Sequence, residues 1–255
     1  MVLKRIYEKS EIVFAVMWIV AYCALMSVGD ALSAVLATEK SVTVIVATAL
    51  SLVLIFFLKK NSLLGKYGLS QPALSARSML YYIPVLAMLT ANFWCGVSLN
   101  YSVLETILYI FTMMCVGFLE EVIFRGLLFE AMRKESLKAA VIVSSVTFGA
   151  GHIINVLNGS GMELVPNLLQ MVYATAAGFM FVMIYLRSKS LIVPIVAHGI
   201  FNATSAFANE ASVAVEIRVI SAVLLTVITG GYAIFLALTA KDSVADASGK
   251  SEEGI

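Results

Sequence analysis

Charge is scarce in this chain. Asp, Glu, Lys and Arg make up 13% of its 255 residues, about half of what water-soluble domains carry. With 61% hydrophobic residues and a mean hydropathy of +0.96, it has more apolar surface than a water-soluble core can hide. The net charge of +1 leaves no basic field to hold nucleic-acid phosphates. Cysteine is rare: Cys23, Cys95 and Cys115 lie far apart in apolar stretches, which excludes a disulfide framework and CxxC metal or redox spacing. Histidine occurs only twice, no HExxH is present, and no internal repeat is visible.

What is abundant is apolar sequence in runs long enough to cross a bilayer, for which about 20 residues suffice. The expected fold is an all-α, polytopic transmembrane bundle of about eight spans, near 12–37, 42–58, 78–98, 103–132, 138–156, 168–186, 190–208 and 217–240. The first resembles a signal sequence behind Lys4 and Arg5, but its apolar run continues past Val28, which predicts a retained span. Residues 1–240 read as one integral-membrane domain, and 241–255, "KDSVADASGKSEEGI", as a disordered cytoplasmic tail. Placing the N-terminus inside puts 14 of the 17 Lys and Arg residues on the cytoplasmic side. The positive-inside bias therefore predicts that both termini are cytoplasmic, in the plasma membrane.

Against this background the ionisable residues inside spans stand out. A charge at the centre of a span costs a few kcal/mol, so such residues usually face the bundle interior and serve a function. "FLEEVIFR" places Glu120, Glu121 and Arg125 about 25 Å along the fourth span at the α-helical rise. Glu121 and Arg125 are four apart on one face, where a carboxylate–guanidinium pair can form. Glu120 is turned about 100° away from Glu121. Arg125 would keep Glu121 ionised and oriented, and Glu120 would be left for general acid or base work. Both histidines also fall in spans. His152 closes "FGAGH" with Phe148 one turn earlier, and His198 opens "HGIFN" with Asn202 one turn later. Asn155 could border such a site. Asp30, Asn92 and Gln170 read as polar groups satisfied by neighbouring helices or near interfaces, and Glu130 and Lys134 as a solvated pair.

The ordered set Glu-Glu-x-x-x-Arg (120–125), Phe-x-x-x-His (148–152) and His-x-x-x-Asn (198–202), on successive spans over residues 103–208, resembles the CPBP family of intramembrane proteases. This family is also called CAAX proteases and bacteriocin-processing enzymes, or Abi. The resemblance implies peptide-bond hydrolysis within the membrane. Glu120 and His152 would activate water, His198 and Asn202 would stabilise the oxyanion, and Glu121, Arg125 and Phe148 would support them. It implies a membrane-associated peptide or protein substrate and the lipid bilayer as partners, with no nucleic acid. Family naming often invokes zinc, which Glu120, His152 and His198 would hold. The missing HExxH and the divergent glutamates favour a glutamate-driven mechanism without metal. The competing readings are a non-catalytic scaffold or immunity protein on the same fold, and a proton-coupled transporter.

Overall fold

The computed structural model describes residues 2–69, 83–157, 163–209 and 213–249, with side chains to 239. The chain is 81% helical, and among the described residues the only β pairing is a bridge between Val97 and Ala208. Ten helices are used here: α1 (Val2–Lys9), α2 (Glu11–Val35), α3 (Thr43–Lys60), α4 (Ile83–Leu89), α5 (Val103–Glu120), α6 (Leu137–Gly151), α7 (Ile154–Leu157), α8 (Leu164–Ser188), α9 (Ile192–Thr204) and α10 (Val215–Gly249). The helical rod of α5 continues without a break as a π-helix over Glu121–Phe129 and returns to α over Glu130–Met132.

Six of these rods are long and apolar enough to cross a membrane: Glu11–Val35, Thr43–Lys60, Val103–Met132, Leu137–Val156, Leu164–Ser188 and Val215–Thr239. The other two expected spans are shorter apolar helices, Ile83–Phe93 and Ile192–Phe207. Both change to 3₁₀ geometry at one end, at Ala91–Phe93 and Ser205–Phe207. Residues 78–82, the expected start of the third span, lie outside the described residues. Helical backbone continues past the predicted end of the last span, to Gly249.

Polar side chains set the helix ends, as backbone groups without an intrahelical partner require. Ser10 caps α2 by accepting from the Val13 N–H. Ser102 and Glu105 cap each other's backbone at the start of α5, the reciprocal arrangement of a capping box. Ser136 caps α6 through the Ala139 N–H. The outer faces are apolar: Val20, Phe56, Leu104 and Val227 are 61%, 64%, 61% and 63% exposed. That is the pattern of a bundle whose solvent is hydrocarbon. The interior holds Phe14, Leu54, Leu119, Ile123, Phe129 and Met180, all essentially inaccessible.

Polar residues inside the spans find partners across helices. Asp30 accepts from Lys40 Nζ (2.8 Å) and Thr43 Oγ1 (2.7 Å). Asn92 donates to the Phe201 carbonyl (2.6 Å) and Thr204 Oγ1 (2.9 Å). Gln170 accepts from Asn155 Nδ2 at 3.1 Å. The expected Glu130–Lys134 pair does not form. Glu130 is buried and takes Arg133 (2.9 Å) and the Tyr185 hydroxyl (2.7 Å), while Lys134 bonds Glu11 at 2.7 Å. Spacing placed the two on one helix face, but Tyr185 of α8 turned Glu130 inward.

The crossing of α5 with α9 matters most for the site. The two backbones meet at Gly117 and Gly199, where a Cβ on Gly117 would lie 2.5 Å from the Gly199 nitrogen and 2.7 Å from its Cα. Small residues permit such close approach in membranes, where apolar surface alone does not drive helices together. Gly117→Leu should therefore separate α5 from α9 and destabilise the protein by about 1–3 kcal/mol or more. The expected outcome is a lower Tm in detergent and reduced accumulation in the membrane fraction. An unchanged Tm would show that this contact does not hold the two helices together.

Candidate active site

The α-to-π change falls at the two glutamates. Glu120 ends the α-helical part of the rod, and all nine residues of the π segment, Glu121 through Phe129, are buried. π segments are uncommon and concentrate at functional sites. Helix α2 packs against this segment on one side and α6 on another.

Glu121 and Arg125 are both 0% exposed, and Arg125 Nη1 donates to Glu121 Oε1 at 3.0 Å. The ion pair expected from the four-residue spacing is present. The same Glu121 oxygen lies 2.8 Å from His198 Nδ1. The other His198 nitrogen, Nε2, stands 3.4 Å from Glu120 Oε2. His198 is thus gripped between the two glutamates, an arrangement that sequence spacing cannot show because α9 supplies the ring. With Nδ1–H donating to Glu121, the lone pairs of Nε2 and Glu120 would face each other unless one of them carries a proton.

Glu120 has a further partner from outside all three motifs. The Tyr22 hydroxyl on α2 donates to Glu120 Oε1 at 2.6 Å. Nothing in an apolar span marks one tyrosine among ten, so this contact depends on helix packing alone.

Phe148 joins the remaining pieces. Its ring lies under the Arg125 guanidinium, 4.1 Å from centroid to Cζ, a cation–π contact in a dry interior. The ring also meets His152 edge-on at 5.3 Å and His198 at 5.5 Å. Phe181 of α8 stacks on the far side of His198 at 5.6 Å. His152 Nδ1 is 3.1 Å from the Phe148 carbonyl. A proton on Nδ1 there leaves Nε2 with the lone pair of a base. Asn167 holds the turn by donating to the His152 carbonyl at 2.7 Å.

These groups border a cavity of about 530 Å³. Glu120, Phe148, His152 and Asn202 line it together with Tyr22, Cys23, Asn155 and Gln170. Glu121, Arg125 and His198 are not on its wall and sit behind Glu120 and Phe148. The lining extends to Asp30, Glu39, Lys40, Tyr101 and Tyr109, at the end of the bundle that carries the α2–α3 connection. Tyr22 and Asp30 are eight residues apart on α2, so the lining spans about 12 Å of helix rise. Burial works against the Lys40 ammonium, but the Asp30 and Glu39 carboxylates outweigh it and hold its pKa above the ordinary lysine value.

Among the described residues no group of three or more His, Cys, Asp or Glu side chains is disposed to hold a metal ion. Of the expected zinc donors, Glu120 and His152 reach the cavity, while His198 has both nitrogens directed at carboxylates. This donor set does not fit a tetrahedral zinc centre.

The fold and site define a polytopic membrane protein with a carboxylate–histidine cluster buried between its spans. Residues 102–204, which contain all three motifs, match the family described as Type II CAAX prenyl endopeptidase Rce1-like. The chain is also 36% identical over 85 residues to the protein named "Putative membrane peptidase YdiL" of Bacillus subtilis (strain 168), covering 33% of this chain and 30% of that protein's length. No solved structure matches. The chain belongs to the CPBP family of membrane proteases.

Two substitutions test this arrangement. Arg125→Ala leaves Glu121 a buried charge with only His198 as partner, and should cost about 3–5 kcal/mol. It should be read as loss of folded protein rather than as inactive protein at normal levels. Tyr22→Phe removes one donor to Glu120 and little volume. It should leave the Tm within about 1.5 kcal/mol of wild type and move the acidic limb of the pH–activity profile upward, because a carboxylate with one donor fewer holds its proton more readily. An unmoved acidic limb would mean that Tyr22 does not act on Glu120.

Proposed function

We propose that the chain is an intramembrane endopeptidase that hydrolyses a peptide bond of a membrane-associated protein or peptide. One observation carries this reading: Glu120, His152 and Asn202, from three separate spans, share the wall of one cavity within the bundle. Glu120 and His152 activate water between them. The water gives up its proton, its oxygen attacks the carbonyl carbon, and the proton passes to the leaving amine as the C–N bond breaks. Asn202 Nδ2 donates to the oxygen that becomes negative, a role that a fixed donor in a dry site performs well. Glu121 and Arg125 hold the rod in place from behind.

His198 takes a different part from the one expected from its motif. Its nitrogens face Glu121 and Glu120, which suits a ring that orients Glu120 and shares a proton with it better than a ring that donates to an oxyanion. The mechanism is carried by glutamate and needs no metal, a reading supported by the two donors that reach the cavity. The basic bias of one set of connections supports cytoplasmic termini in the plasma membrane.

Glu120→Gln is nearly isosteric and tests the reading directly. Cleavage of a membrane-associated substrate should fall by about 10²–10⁴-fold, with unchanged accumulation and Tm. Retained activity in that variant would sink the mechanism. Activity should also survive a zinc chelator; loss restored by added zinc would overturn the metal-free reading.

A further inference from the structure

A second, smaller cavity of about 130 Å³ lies near one end of the bundle, between the 3₁₀ turn after α4 and the first turns of α8 and α10. It plays no part in the proposed chemistry. Its walls are largely apolar and aromatic, with Trp94, Tyr173 and Phe201 among them, and Arg218 is its one lining residue with a formal charge. Arg218 sits in the first turn of α10 and is partly buried. Its Nε is buried without a hydrogen bond, and no described carboxylate pairs with its guanidinium. The neighbouring Asn92 amide nitrogen is already committed to the Phe201 carbonyl and Thr204, so Arg218 is the group left to meet a ligand.

Every other deeply placed charge in this bundle has a partner: Glu121 has Arg125, Asp30 has Lys40 and Glu130 has Arg133. A guanidinium presents a planar fork of donors that matches two oxygens of one anion, phosphate above all. The start of a span is at the depth of the headgroups, where tryptophan also tends to lie. Beside the pocket the outer face of α10 is apolar, with Ile220 and Val223 65% and 53% exposed, a surface for acyl chains. We propose that this pocket binds the phosphate of a phospholipid headgroup, with Arg218 as its anion ligand and the aromatic wall against the glycerol. The proposal does not depend on the protease reading.

The test is native mass spectrometry of the full-length protein, purified in a non-ionic detergent and supplied with phosphatidylglycerol. Wild type should retain one phosphatidylglycerol. Arg218→Gln should lower the retained fraction about tenfold, the factor for 1.4 kcal/mol of binding. Arg218→Lys, which keeps the charge without the fork, should fall between. Ala222→Leu fills the pocket with Arg218 intact and should also release the lipid. Equal Tm values for the variants in lipid-free detergent show that folding is not the cause. Retention by Arg218→Gln equal to wild type, or equal retention of diacylglycerol, which lacks phosphate, would overturn the proposal. Displacement of the lipid by millimolar inorganic phosphate would support the anion site. Binding of inorganic phosphate with no lipid retained would assign the site to free phosphate and overturn the lipid source.

Discussion

The Glu121–Arg125 pair is the constraint around which this bundle is organised. Both side chains are fully inaccessible, and a buried charge that loses its partner is severely destabilising. Everything packed around the pair therefore has to keep it together. Phe148 supplies a ring face under the guanidinium, His198 takes up the carboxylate, and Phe181 closes the far side of the imidazole. Helices α5, α6, α8 and α9 each contribute one of these groups, so the demand of one ion pair fixes the relative rotation of four spans. Gly178 extends the argument to backbone: a Cβ there would stand 3.3 Å from Arg125 Nη2 and 3.1 Å from the Ser145 backbone. The guanidinium occupies space that any larger residue would contest.

This organisation separates two jobs that adjacent glutamates could have confused. Glu121 faces inward to the arginine and carries the structural load. Glu120, one residue earlier, faces the cavity and is held by a single hydroxyl and one ring nitrogen. Two carboxylates in neighbouring positions thus meet different surroundings. One is locked into a charge-paired network, and the other borders a space of about 530 Å³ that can admit water and a peptide. The division follows from helix geometry combined with the placement of α2 and α9.

That division was legible in the sequence in outline, because the residues that carry it are rare or regularly spaced. The Glu121–Arg125 pair is a local four-residue relation on one rod, and local relations survive folding. The histidines were conspicuous because the chain has only two. Tyr22 was not legible, since its importance comes from the packing of α2 on the π segment, some hundred positions away in sequence. The hold of both glutamates on His198 was equally hidden, because it depends on the rotation of α9 about its own axis. Hydropathy located the eight apolar segments but not the shortness of two of them, since 3₁₀ turns interrupt the helix without lowering its apolar content. Glu130 shows the reverse failure: a local pattern pointed to Lys134, and a distant tyrosine won.

The π segment has a consequence for how this site tolerates change in length. A π-helix carries more residues per turn than the α-helix it interrupts, so Glu121–Phe129 holds surplus chain within a buried rod. Removing one residue there would let the backbone relax to the commoner geometry, and by local energetics alone the helix would gain. Yet all that follows the deletion would rotate by about 100° relative to what precedes it. Arg125 would leave Phe148, or Glu120 would leave the cavity wall, according to which end the rest of the bundle restrains. The wide turn is therefore a register device: it keeps the residues before Glu121 and those after it facing different neighbours, which a uniform α-helix of this sequence could not satisfy at once.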